Sequence, residues 1–141
     1  MEFLTQNDWT LINARAQRIK FRLGDEIIRQ GSPGTAIYII RKGTASVQLS
    51  GTKERVTVAI LGPDEICGDM AFLERGISTA SVVASDEEVE ADVIQANELR
   101  HLFEAFGGLG TRFYCSLAVV LARRLRETSA ELAHEVNLRG M

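Results

Sequence analysis

The sequence predicts a mainly β fold with flanking helices, an antiparallel barrel or jelly roll followed by a helical C-terminal part. Three observations carry this. Short runs rich in β-branched residues alternate apolar and polar between Ile19 and Val93. Turn clusters separate them every 6 to 12 residues or so, which suits hairpin-linked strands. After Asn97 the apolar spacing becomes helical. A dinucleotide fingerprint and βαβ alternation are both lacking, so a doubly wound sheet is excluded.

The elements follow in order. Thr5 to Gln17 reads as a helix, with Thr5 or Asn7 as its cap and Trp9, Ile12 and Ala16 on one face. Trp9 is expected to anchor it on the barrel. Ile19, Phe21 and Leu23 then alternate with Arg18, Lys20 and Arg22, describing a half-buried strand. Gly24-Asp25 turns the chain into a short strand, Glu26 to Arg29, and Gln30-Gly31-Ser32-Pro33-Gly34 is a dense turn cluster. Ala36 to Arg41 is rich in β-formers. Beyond Lys42-Gly43, Ala45, Val47 and Leu49 alternate with serines and Gln48, and Gly51-Thr52-Lys53-Glu54 reads as a hairpin loop. Val56, Val58, Ile60 and Leu61 form the next strand, closed by Gly62-Pro63-Asp64. Ala80 to Ala84 is a strand, and Val89, Ala91 and Val93 lie on the last one. The glycines at 24, 31, 43 and 62 fall between strands, where positive φ is often needed. Asn97 is placed as the cap of a helix over Glu98 to Ala105. Gly107-Gly108-Leu109-Gly110 breaks the chain before a long helix from Thr111 to about Val136. Its first half is apolar on one side, and Leu121, Leu125 and Leu132 offer a seam to a partner helix. The chain is thus read as one domain over 1–136, with a helix at 1–17, strands over 18–95, helices over 97–136 and a tail at 137–141.

Composition bounds the function. With 141 residues, 45% hydrophobic and 25% charged, the chain resembles an ordinary globular domain long enough to bury a core. A net charge of −3 gives no reason to expect nucleic acid or an anionic membrane as partner. Cys67 and Cys115 form no CxxC pair and read as reduced, buried thiols. With neither a signal peptide nor an apolar run of membrane-spanning length, a cytoplasmic location is expected. His101 and His134 both fall in the C-terminal helices, so the barrel region supplies no histidine for a metal centre or a nucleophile–base pair. Neither an enzyme nor a cofactor is expected.

The stretch from Cys67 to Val82 remains. Gly68 and Asp69 open a short apolar segment with helix formers, Met70-Ala71-Phe72-Leu73. A loop and then Ser78-Thr79-Ala80-Ser81-Val82 follow. Free N–H groups at the start of a one-turn helix carry partial positive charge, Gly68 permits close approach, and Asp69 can accept from a hydroxyl. The segment reads as a cradle for a small phosphate-bearing sugar.

Together with Phe21-Arg-Leu-Gly24-Asp-Glu-Ile-Ile-Arg-Gln-Gly31, Tyr38-Ile-Ile-Arg-Lys-Gly43, Leu61-Gly62-Pro63, Gly68-Asp69-Met70-Ala71 and Thr79-Ala80-Ser81-Val82, the chain resembles a cyclic nucleotide-binding domain from about Asp8 to Thr128. That family includes the bacterial catabolite activator, the regulatory subunits of cyclic AMP-dependent kinase and the cyclic nucleotide-gated channels. The resemblance implies an eight-stranded antiparallel jelly roll (a double-stranded β-helix) with an N-terminal helix, a short helix inside a phosphate-binding cassette and two C-terminal helices. It also implies cyclic AMP or cyclic GMP as ligand, held by Gly68, Asp69, Met70, Ala71, Phe72, Ser78, Thr79, Ala80 and Ser81. Two positions depart from the family pattern. Asp69 is one methylene shorter than the family's ribose-binding glutamate, and Ser78 stands where the family has its phosphate-binding arginine. Arg75 is the candidate substitute cation in the cassette loop. Asp69 is expected near the phosphate with no cation between them.

Two functions follow as expectations. One is a non-catalytic sensor whose ligand moves the C-terminal helices. The other is a cassette that no longer binds cyclic nucleotides, in a structural, dimerisation or protein-interaction module working through the 111–136 helix. Arg123, Arg124 and Arg126 are expected on a solvated helix face with Glu127 as partner. No helix-turn-helix module lies within these residues, so no DNA reading is expected of this chain alone.

Overall fold

A computed structural model describes residues 1–51 and 53–139. Helix α1 (Gln6–Arg15) leads into strands β1 (Gln17–Arg22), β2 (Glu26–Ile28), β3 (Ala36–Lys42), β4 (Ala45–Ser50), β5 (Arg55–Leu61) and β6 (Ile66–Cys67). The short helix α2 (Asp69–Glu74) follows, then β7 (Ser81–Ala84), β8 (Glu88–Gln95), α3 (Ala96–Ala105) and α4 (Leu109–Arg139). The strands form two antiparallel sheets of four, in the orders β1-β8-β3-β6 and β2-β7-β4-β5. This is the eight-stranded jelly roll that the sequence predicts.

Two apolar clusters hold it together. Between the sheets lie Ile27, Ile40, Ala45, Leu61, Val82, Ala84, Val89 and Ala91. They come from strands whose alternating positions point inward. The second cluster packs the helices on the first sheet and joins Ile12, Ile37, Ile94, Leu99, Leu109, Phe113 and Leu117 to Phe72 of α2. Full burial of each such side chain contributes roughly 1.5–3 kcal/mol. The helical layer and α2 therefore share one core.

Helix α1 starts as its sequence suggests. Thr5 caps it, and Asp8 completes a capping box by accepting from the Thr5 amide. Asp8 is also buried and binds Arg112 of α4 through two hydrogen bonds of 2.6 and 2.8 Å. The guanidinium holds the Asp8 carboxyl well below the usual carboxylate range. Trp9 meets Arg41, whose guanidinium carbon lies 5.5 Å from its ring centroid.

Several expectations need correction. Of the predicted strand face only Phe21 packs on the inter-sheet cluster; Ile19 is exposed on the edge strand β1, and Leu23 is exposed in the turn beyond it. At the edge of the other sheet, β5 likewise exposes Val56, Val58 and Ile60. The two-residue strand β6 has no pattern long enough to be read from sequence. Gly24, Gly31 and Gly43 take positive φ, but Gly62 does not. Gln95, not Asn97, is the N-cap of α3, and it makes no side-chain cap bond. The break at 107–110 is shorter than predicted, since α4 begins at Leu109 and runs on to Arg139. Of the expected 51–54 hairpin loop, residue 52 lies outside the described residues, as do residues 140 and 141 of the expected tail. No described helix is long and apolar enough to cross a membrane.

Candidate functional site

Gly68 sets the geometry of the cassette. It takes φ +82° as the N-cap of α2, and a Cβ there would lie 2.7 Å from the Ala36 carbonyl oxygen. Both facts demand glycine. Helix α2 closes at Arg75, in the left-handed region with φ 52°. Its second close approach is at Gly34, where a Cβ would lie 2.5 Å from the Ala71 Cβ. Backbone hydrogen bonds stitch the same two loops together. The Gly31 amide donates to the Ser78 carbonyl, the Ser78 amide to the Ser32 carbonyl, and the Gly34 amide to the Gly76 carbonyl. The Ser81 hydroxyl accepts from the Gln30 amide at 2.9 Å.

Between these loops lies a cavity of about 220 Å³, open to solvent on one side. Gly68 and Ser78 line it, with Ile27, Ile28, Tyr38 and the 32–36 loop. Among the lining residues Arg29 is the one cation, and there is no carboxylate. Ser32, Thr35, Ser78 and Tyr38 supply hydroxyls. A volume below the 300 Å³ or so of a drug-sized pocket suits a phosphate-sized group with part of its ligand left at the mouth.

The other expected site residues are arranged differently. Asp69 is 3% exposed and does not line the cavity. Its carboxylate accepts from Arg124 of α4 at 3.2 and 3.5 Å, and Arg124 also donates to the Ile66 carbonyl. Burial raises the Asp69 carboxyl above its ordinary value, opposed by the Arg124 guanidinium and by the Asp69 and Met70 amides. The expectation that Asp69 has no cation beside it, and that Arg124 is solvated, is thereby corrected. Sequence reasoning missed Arg124 although a signal was available, since it falls seven residues after buried Leu117 on the same helical face. Arg75 is exposed and ends α2 without lining the cavity. Met70 and Thr79 are exposed, Ala80 is half-buried, and Ala71 is buried against Gly34.

Phe72 points into the helical layer. Its ring centroid lies 6.1 Å from Phe113 and 6.3 Å from Tyr114, both on α4, and 4.8 Å below the Arg100 guanidinium carbon. Cys67, buried in β6, has its thiol pushed up to about 12 by burial and the nearby Asp69 carboxylate, so it is inert as a nucleophile. His101 and His134 are exposed on α3 and α4, and Cys115 is exposed on α4 too, which corrects the expectation that both thiols are buried. Among the described residues no group of three His, Cys, Asp or Glu side chains is placed to hold a metal ion.

A family model described as a cyclic nucleotide-binding domain matches residues 18–106. The cyclic AMP receptor protein of Thermus thermophilus is 37% identical over 122 residues, which are 82% of this chain and 52% of that protein. Cyclic GMP-binding protein C of Dictyostelium discoideum is 33% identical over 125 residues, covering 87% of this chain and 5% of that protein. The crystal structure of the Thermus thermophilus catabolite activator protein aligns with a TM-score of 0.75 at 30% identity, over 92% of this chain and 59% of that one. This chain thus spans about half of the Thermus relative and a small part of the Dictyostelium one.

Proposed function

The chain belongs to the cyclic nucleotide-binding domain family, and from that premise we propose that it is a non-catalytic regulatory domain. It takes cyclic AMP or cyclic GMP at the cassette and passes the event to its C-terminal helices. The observation that carries this reading is the ion pair between Asp69 of the cassette and Arg124 of α4. Asp69 itself is buried and off the cavity lining, but its neighbour Gly68 lines it, so a ligand seated there bears on the ion pair through the start of α2. A ligand that shifts the start of α2 weakens the hold of Asp69 on Arg124, and Phe72 couples the same motion to Phe113 and Tyr114.

The test is calorimetric titration with cyclic AMP and cyclic GMP of the wild type and Ser78→Arg, followed by hydrogen exchange of α4. Wild type is expected to bind one of them. Ser78→Arg restores a phosphate cation and tightens binding at least tenfold or so. Exchange is expected to quicken along α4 when ligand is bound. The reading fails if neither protein takes up either nucleotide, or if α4 exchange is unchanged at saturation.

A second reading is favoured by the exposed apolar positions of α4, Leu125, Leu132 and Val136. They recur at helical spacing and suit a partner helix. In that reading Asp69 serves only to anchor α4, and the chain is a dimerisation or protein-interaction module.

A further inference from the structure

The cassette cavity has an electrostatic character that its family position does not explain. Ser78 brings no charge to it, and Asp69 faces Arg124 instead. Yet Arg29 is the one charged residue on the lining, and no carboxylate shares it. We infer that Arg29, at the C-terminal end of β2, is the phosphate-binding cation of this chain and sets its preference for a phosphorylated ligand. This rests on the ligand-binding reading above.

Three features support the assignment. First, the backbone around Arg29 is fixed against the cassette. The Gln30 amide is held by the Ser81 hydroxyl, and the Gly31 amide by the Ser78 carbonyl. Arg29 therefore stands beside the entry to the small-residue run, on the lining it shares with Gly68 and Ser78. Second, its charge is barely neutralised. The nearest carboxylate oxygen, on Glu26, is 3.7 Å away, and Glu26 also faces Arg55 at 3.5 Å. One carboxylate between two guanidinium groups leaves net positive charge at the mouth. Third, the side chain is free to move, being 77% exposed, so it can turn onto an arriving anion without breaking a packed contact. A guanidinium offers a planar fork that matches two phosphate oxygens at once. Ser32, Thr35 and Ser78 add neutral hydroxyls on the same lining. Arg75, the other arginine of this region, is outside the cavity.

The experiment is titration of wild type, Arg29→Ala, Arg29→Lys, Arg75→Ala and Ser78→Arg with cyclic AMP and cyclic GMP, at two salt concentrations. Thermal melts of each variant confirm folding. Arg29→Ala is expected to weaken binding about 10- to 100-fold and to flatten its salt dependence, because a largely exposed charge contact is lost. Arg29→Lys is expected to recover the salt dependence but only part of the affinity, and Arg75→Ala to bind as wild type. If wild type binds and folded Arg29→Ala binds equally well, the Arg29 assignment is overturned while the ligand-binding reading stands. If only Ser78→Arg binds, the cassette keeps its shape but Arg29 does not serve, which also overturns it. If neither wild type nor Ser78→Arg binds, both the assignment and the reading beneath it fall.

Discussion

Replacing Arg124 by Met keeps most of the apolar stem and removes the charge. The consequence can be worked from the geometry of the pair. The Asp69 side chain is 5% exposed and that of Arg124 is 31%. Breaking a fully buried pair by removing one partner typically costs about 3–5 kcal/mol. The half-wet guanidinium and the contact lengths of 3.2 and 3.5 Å reduce this to about 2–3 kcal/mol at neutral pH. The loss must also depend on pH in one direction. Burial holds the folded Asp69 carboxyl above its ordinary 3.8, and losing the guanidinium pushes it higher still. The folded state then binds the proton more tightly than the unfolded one. Stability falls as pH rises from the unfolded value through the folded one, and it falls further in Arg124→Met than in the wild type. Urea unfolding of both proteins from about pH 4 to about pH 7 is expected to show a deficit that widens with pH. Adding Asp69→Asn to Arg124→Met is expected to recover part of the neutral-pH loss, since the uncompensated charge is gone. A deficit below about 0.5 kcal/mol at neutral pH, or one constant across the range, would refute the argument.

Three further outcomes are expected. Asp8→Asn removes a buried carboxylate bound to Arg112 and to the Thr5 amide, and is expected to cost about 3 kcal/mol in urea unfolding. Because the folded Asp8 pKa is depressed, its contribution is present above 3.8 and is lost as pH falls below it; the gap between Asp8→Asn and wild type should close on acidification. Gly34→Ala drives a Cβ to 2.5 Å from the Ala71 Cβ and 3.0 Å from its carbonyl carbon, so about 1–3 kcal/mol of stability is expected to be lost, with chemical-shift changes on α2. Leu125→Glu with Leu132→Glu changes two exposed positions, 68% and 62% accessible, and is expected to leave the melting temperature within a few degrees of wild type. Sedimentation that shows wild type as a dimer and this variant as a monomer would favour the interaction-module reading.

The legible parts of the fold were those in which one strand face is covered. In β8 the alternation corresponds to burial, and Val89, Ala91 and Val93 are buried as the pattern requires, whereas in β4 Ser46 is buried and Leu49 exposed against the pattern. The same alternation misleads in β1 and β5, because a strand at the edge of a sheet can be apolar and still face water. Local chemistry was readable as well. Gly68 is in the backbone conformation that only glycine takes readily, and Thr5 caps α1. The ion pairs were not readable, because Asp69 and Arg124 are 55 residues apart and Asp8 and Arg112 are 104 apart. Periodicity places a residue on a face but does not say which face a distant helix will meet. Arg29 was invisible for a related reason: only the folded turn brings it beside Ser78.

The length of α4 gives its ion pair with the cassette a reach beyond the barrel. Arg124 is the last partly buried residue of α4, and the helix continues for 15 exposed residues to Arg139. At 1.5 Å per residue that free arm is about 22 Å long. With Arg124 as fulcrum, a tilt of about 10° would carry the tip through about 4 Å, roughly three quarters of the helical pitch. In the regulatory reading proposed above the helix acts as a lever, and a rearrangement at Asp69 too small to disturb the jelly roll would be magnified at its far end.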